Sequence, residues 1–217
     1  MLVLKNNIVA ITGALLLAFL AGTDASFANT DTSVSKGSVY LNHPAFAVVG
    51  NSAVSIPIGH AQFCRSHTSE CSSNAAVVDA MVLTESRWTE LLEVNAEFNA
   101  SIVPVTDQNL YQVTEFWTYP NGYGDCEDYV LAKRRALIAK GWEPSTLLIS
   151  VVRQSNGEGH AVLMVRTDRG DLVLDNQASL VKVWNETPYR YIKRQSQDNA
   201  GKWVDIYDQR PTIVASR

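Results

Sequence analysis

The hydrophobic period of the 217-residue chain changes at Gly141, and this change does most to limit the folds open to it. Before that point apolar positions recur at helical spacing. Trp88, Leu91, Leu92, Asn95, Phe98 and Ile102 form one stripe behind Thr84, a good N-cap residue, and Pro104 stops the run. Asn95 lies on that stripe, where its amide would be satisfied by bonding backbone across the core. A second helix follows the turn-rich Pro120–Gly124. Asp125-Cys126-Glu127-Asp128 opens it, Tyr129 to Lys140 continues it and Gly141 ends it. Acids crowd its start and bases its end, as the helix dipole favours. Its apolar residues cover more than one face, which predicts a central, buried helix.

Beyond Gly141 the pattern is that of strands. Leu147–Val152, His160–Arg166 and Leu172–Asp175 are separated by turns at 154–159 and 167–170. Tyr189–Gln195 and Trp203–Tyr207 read as a further hairpin. Helices first and an antiparallel sheet second define an α+β class, with N-terminal helices packed on the sheet. Residues 29–62 read as irregular, with a short extended piece at Phe46–Val49. His43 and His60 read there as surface or loop histidines.

The N-terminus carries Lys5, an apolar run from Ile8 to Leu20, and small residues at Ser26-Phe27-Ala28. This is the pattern of a secretory signal peptide cut at Ala28-Asn29, leaving 29–217 as one domain. The run is shorter than the roughly 20 apolar residues of a membrane span. The expectation is therefore a periplasmic or secreted chain with no stable span after cleavage. No Cys follows the run, so a lipid anchor is not expected. Net charge is -4 and stays so after cleavage, because Lys5 and Asp24 leave together. That balance argues against nucleic acid as a partner, although Lys193-Arg194 forms a late basic pair.

Export changes the meaning of the three cysteines. Cys64 and Cys71 are close enough to close a small disulfide loop. A metal site from Cys64, Cys71, His60 and His67 ranks below that reading. Cys126 is left over, and a reactive thiol explains it better than chance, though a buried structural thiol would also do so.

Cys126 stands in the first turn of its helix, where free N–H groups and the dipole favour thiolate. Asp125, Glu127 and Asp128 oppose this, and the sequence leaves the net sign open. His160 opens one strand and Asp175 closes the next. Either of two hairpin registers, His160 opposite Asp175 or Val162 opposite Asp175, puts both side chains on one face. A thiol, an imidazole and an orienting carboxylate are what amide cleavage through an acyl-enzyme requires. N–H groups at the helix start would hold the oxyanion, and Trp117 is a further candidate for that hole.

These residues resemble the bacterial transglutaminase-like cysteine peptidase family, which includes the LapG-type periplasmic proteases. The matching segments are Gly124-Asp125-Cys126-Glu127-Asp128-Tyr129 with Lys133, then Gly159-His160-Ala161-Val162-Leu163, then Leu174-Asp175-Asn176. The likeness runs from about Trp88 to Trp203. It implies a papain-like or transglutaminase-like core and a Cys126-His160-Asp175 triad that needs no cofactor for its chemistry. It implies a protein or peptide substrate such as a cell-surface adhesin, and an inner-membrane regulator as a second partner. It also implies calcium held by Asp125, Glu127 and Asp128, since hard oxygen ligands suit that ion. Tyr123 stands where some calcium-dependent members carry a further acid. A transglutaminase or amidase would use the same triad, and a silent peptide- or calcium-binding module would use the same fold.

Overall fold

In the computed structural model residues 44–210 are described, so the signal segment 1–28 and His43 lie outside the described residues. Seven strands form one antiparallel sheet: β1 (Val49–Val54), β4 (Leu147–Arg153), β5 (Gly159–Thr167), β6 (Gly170–Leu174), β7 (Lys182–Val183), β8 (Arg190–Gln195) and β9 (Trp203–Ile206). Their spatial order is β1-β9-β8-β4-β5-β6-β7. The strands at the centre are buried without alternation. Residues from His160 to Val165 and all of β6 are enclosed, which requires cover on both faces.

Two helices supply the cover that matters for function. The helix α2 (Glu85–Ser101) starts at Thr84, whose Oγ1 accepts from Arg87 N–H at 3.2 Å, as the sequence predicts. Its buried face is Leu91, Val94 and Asn95, while Leu92 is exposed, so the stripe is rotated slightly from the expected one. The helix α4 (Cys126–Ala139) lies against β5 and α2 lies against α4. It stops at Gly141, whose φ of 86° only glycine adopts at low cost.

Within the stretch 29–62, the described residues 44–62 are more ordered than their composition suggests. They contain β1 and the start of α1 (Ile58–Ser66). The helix was illegible because Pro57 offers no side-chain cap and its buried face is Gly59, His60 and Phe63, only one of them strongly apolar. His60 is therefore not a surface residue. It is 1% exposed, its Nδ1 accepts from Trp203 Nε1–H at 3.2 Å, and Gln195 Nε2 approaches its Nε2 at 3.2 Å. Cys64 and Cys71 form the expected disulfide, which clips α1 to the 3-10 turn Thr68–Cys71 and excludes their use as metal ligands. Among the described residues, no helix is long and apolar enough to cross a membrane.

Candidate active site

Between α2 and α4 lie β2 (Val103–Pro104), the short helix α3 (Asp107–Leu110) and β3 (Tyr123–Gly124). The pairing of β2 with β3 delivers the chain to α4. At Gly124 an added Cβ would lie 2.6 Å from Asp128 Oδ2, so the entry to the helix needs glycine for close approach. Asp125 is then the N-cap residue and Cys126 the first helical one. Cys126 is the free cysteine of the chain and is half-buried.

Adjacent strands bring the other two residues to this helix end. Pairing of β5 with β6 runs from Thr167 opposite Gly170 to Leu163 opposite Leu174. The loop is Asp168-Arg169, and continuing the ladder sets Val162 opposite Asp175, the second of the two registers considered. His160 and Asp175 accordingly share a face, and His160 Nε2 lies 2.9 Å from Asp175 Oδ1. The sulfur of Cys126 sits 3.4 Å from the N–H of Ala161, the residue after His160. Three distant segments thus bring the Cys126 sulfur beside the start of β5, where His160 pairs with Asp175 from the end of β6.

Asp175 lies one residue beyond β6 and is held by more than the imidazole. Its Oδ1 also accepts from Gln177 N–H at 2.9 Å, and its Oδ2 accepts from Tyr189 O–H at 2.5 Å. Burial pushes the carboxyl up, but these hydrogen bonds outweigh it and hold Asp175 below the usual carboxylate range. Such a carboxylate accepts Nε2–H from His160. The other ring nitrogen, Nδ1, then carries the lone pair, and Gln177 Nε2 stands 3.5 Å from it. No local signal in the sequence singles out Tyr189 or Gln177, because their value depends on where the 175–189 segment turns.

The open question of the thiol is answered against the dipole. Burial, then Glu127, push the Cys126 thiol well up, and Sγ–H donates to Glu127 Oε2 at 3.1 Å. Glu127 itself is raised by burial and by Asp125 beside it. With no cation at the neighbouring acids, these surroundings favour the protonated sulfur. The indole of Trp117, the further candidate for the oxyanion hole, is engaged elsewhere. Its N–H goes to Glu115 Oε2 at 3.1 Å, and its ring packs on His60 and Trp203.

A second cluster adjoins the sulfur. One carboxylate oxygen each from Asp107, Asp125 and Asp128 lies within 4.8 Å of the others, while Glu127 turns to Cys126. Asp107 joins the set where the sequence pointed to Glu127, and no local motif announces it. Backbone N–H groups orient the set: Phe116 donates to Asp107, Asp107 to Asp125 Oδ2 at 3.1 Å, and Thr118 to Asp128 Oδ1 at 2.9 Å. Asp125 Oδ1 and Asp128 Oδ2 remain buried without a partner. Burial raises Asp107, and it raises Asp128 to about 7. Three converging carboxylates with two orphaned oxygens fit a hard divalent cation such as calcium.

Over residues 50–211 the chain matches the family model described as bacterial transglutaminase-like cysteine proteinase. Among solved structures it is similar to calcium-bound Legionella pneumophila LapG, at 26% identity over 54% of this chain and 68% of that one, with a TM-score of 0.47. A second structure of Legionella pneumophila LapG gives 25% identity, the same coverage and a TM-score of 0.46. The EGTA-treated form gives 26% identity over 56% of this chain and 72% of that one, with a TM-score of 0.47. Comparison with curated protein sequences gave no match.

Proposed function

Because the chain belongs to the bacterial transglutaminase-like cysteine proteinase family and is a cysteine peptidase, we propose that it cleaves a peptide amide bond with Cys126, His160 and Asp175. The observation that carries this reading is the His160–Asp175 pair at 2.9 Å with the Cys126 sulfur against the Ala161 N–H. Asp175 fixes the ring with Nε2–H toward itself, which leaves the Nδ1 lone pair to take the thiol proton. The thiolate then attacks the carbonyl carbon, and N–H groups at the start of α4 receive the negative charge of the oxyanion. Collapse of this intermediate breaks the C–N bond, and Nδ1–H protonates the leaving amine. A thioacyl-enzyme remains. Water, deprotonated by His160, attacks it, releases the acid and returns the proton to sulfur.

Asp107, Asp125 and Asp128 would hold calcium. When bound, the ion supplies positive charge that offsets the acids flanking Cys126 and ties α3 to the start of α4.

The substrate is an exported or surface protein, such as an adhesin, and the chain acts in the periplasm or outside the cell. The N-terminal apolar run and the Cys64–Cys71 disulfide support that location. Control by an inner-membrane regulator belongs to the same proposal.

Comparison of exported protein fragments from cells carrying the native chain or Cys126→Ala tests the reading. Cleavage of at least one exported protein is expected to vanish in the variant, and an unchanged fragment pattern would refute it. A glutamine peptide with a labelled primary amine separates hydrolysis from amine transfer, and no label should be incorporated.

A further inference from the structure

Asp175 is the one member of the proposed triad whose backbone lies in neither a helix nor a strand. β6 ends at Leu174, and the chain next pairs at Lys182. A carboxylate on an unpaired turn would wander unless something else fixed it. Its N–H donates to Asn95 Oδ1 at 3.2 Å, and its C=O accepts from Asn99 Nδ2 at 2.8 Å. Both backbone groups of Asp175 are therefore held by asparagines one turn apart on α2. The same two amides close on the carbonyl of Ala178, from Asn95 Nδ2 at 3.0 Å and from Asn99 Nδ2 at 3.2 Å. Together they clamp the turn from both ends.

An asparagine amide can rotate by half a turn and exchange oxygen for nitrogen. At Asn95 that exchange would set two donors against each other, because Asp175 offers an N–H. Lys133 removes the ambiguity: its Nζ donates to Asn95 Oδ1 at 2.8 Å, so only oxygen fits there. Lys133 is completely buried and sits on α4, two turns along from Cys126. Burial lowers its ammonium to about 7, so the chain places a costly group where a methionine would pack.

We propose that Asn95, Asn99 and Lys133 are positioning residues for peptide cleavage: Lys133 orients the Asn95 amide, and the two asparagines fix the Asp175 backbone so that its carboxylate meets His160. This rests on the triad reading. The device connects the helix that carries the nucleophile to the turn that carries the carboxylate.

The test uses the full mature chain and reads the rate of Cys126 alkylation by iodoacetamide against pH, with melting temperature measured alongside. Asp175→Asn is the reference for lost orientation. Lys133→Met removes a buried amine and should keep or raise the melting temperature, yet lower the alkylation rate at neutral pH by about tenfold to a hundredfold, as a misplacement near 1 Å does. Asn99→Ala, at a half-buried position, should move the pH profile the same way. Asn95→Asp keeps an acceptor for Lys133 and for the Asp175 N–H, and should recover most of the rate that Asn95→Ala loses. Imidazole ¹⁵N spectra of His160 should show the Nε2–H signal weakened in Lys133→Met. If Asp175→Asn slows alkylation while Lys133→Met and Asn99→Ala leave the profile and the Nε2–H signal unmoved, the positioning role is overturned and the triad stands. If Asp175→Asn itself changes nothing, both fall.

Discussion

At the residue scale the environment of each group decides its role more than its identity does. A cysteine at a helix start is expected to ionise easily, yet Cys126 is enclosed and faces Glu127, and its thiol is pushed up. Asp175 is more deeply buried but has three donors, so its carboxyl is held down. The sign for Asp175 follows: a carboxyl lowered in the folded state adds stability above its unfolded pKa, and that stability is lost as pH falls through the lowered value. Tyr189 is the donor whose removal is cleanest, since Phe keeps the ring beside His160. Tyr189→Phe is expected to cost about 1.5–3 kcal/mol, the usual worth of a hydrogen bond to a charged group. It should also move the acid limb of Cys126 alkylation to higher pH, because Asp175 then protonates sooner. Urea unfolding and the alkylation profile check the two halves, and an unmoved acid limb would mean that Tyr189 serves stability alone.

At the scale of elements, legibility followed locality. The helices α2 and α4 were readable because Thr84 caps one and Gly141 ends the other, both local signals. The β5–β6 hairpin was readable because two registers gave the same face for His160 and Asp175. α1 was not readable, since its buried face relies on His60 meeting Trp203 and Gln195 from far along the chain. Asp107 escaped for the same reason: it matters only once α3 is folded against the start of α4. The disulfide explains how a weak helix like α1 persists. Closing a loop with a sequence separation of 7 should stabilise the fold by about 2–3 kcal/mol through the unfolded chain. α1 and the 3-10 turn clipped to it in turn support the segment before the nucleophile, for Gly59 lies under Trp117 and Glu70 accepts from the Tyr119 hydroxyl. Replacing both Cys64 and Cys71 by Ser is expected to lower the urea midpoint by that amount. An unchanged midpoint would show that the clip holds nothing that packing does not already hold.

At the scale of the whole molecule, the enclosed charges set how stability answers to pH and to cations. Burial raises Asp107, Glu127 and Asp171, and it raises Asp128 to about 7. Above about pH 4 the unfolded chain has released these protons while the folded chain still holds them. Each one therefore makes stability fall as pH rises, until the folded carboxyl ionises. His60 works in the opposite direction. Burial lowers it to about 4, so unfolding takes up a proton between there and its ordinary value, and stability rises with pH across that window. Lys133, lowered to about 7, acts only above it. Glu127, raised to about 9, and Asp128, raised to about 7, outweigh one imidazole, so stability without a divalent cation declines from about pH 5 to neutrality. Calcium on Asp107, Asp125 and Asp128 requires those groups ionised, so its binding competes with the same protons. The rise in melting temperature on adding calcium, relative to chelator, should therefore be small near pH 5 and larger near pH 7.5. Asp128→Asn should reduce that rise at the higher pH, because it removes one of the two orphaned oxygens' charges. Scanning calorimetry in calcium and in chelator at both pH values decides the matter: a rise that ignores pH, or one that Asp128→Asn leaves intact, would mean that the acids beside Cys126 do not bind the ion.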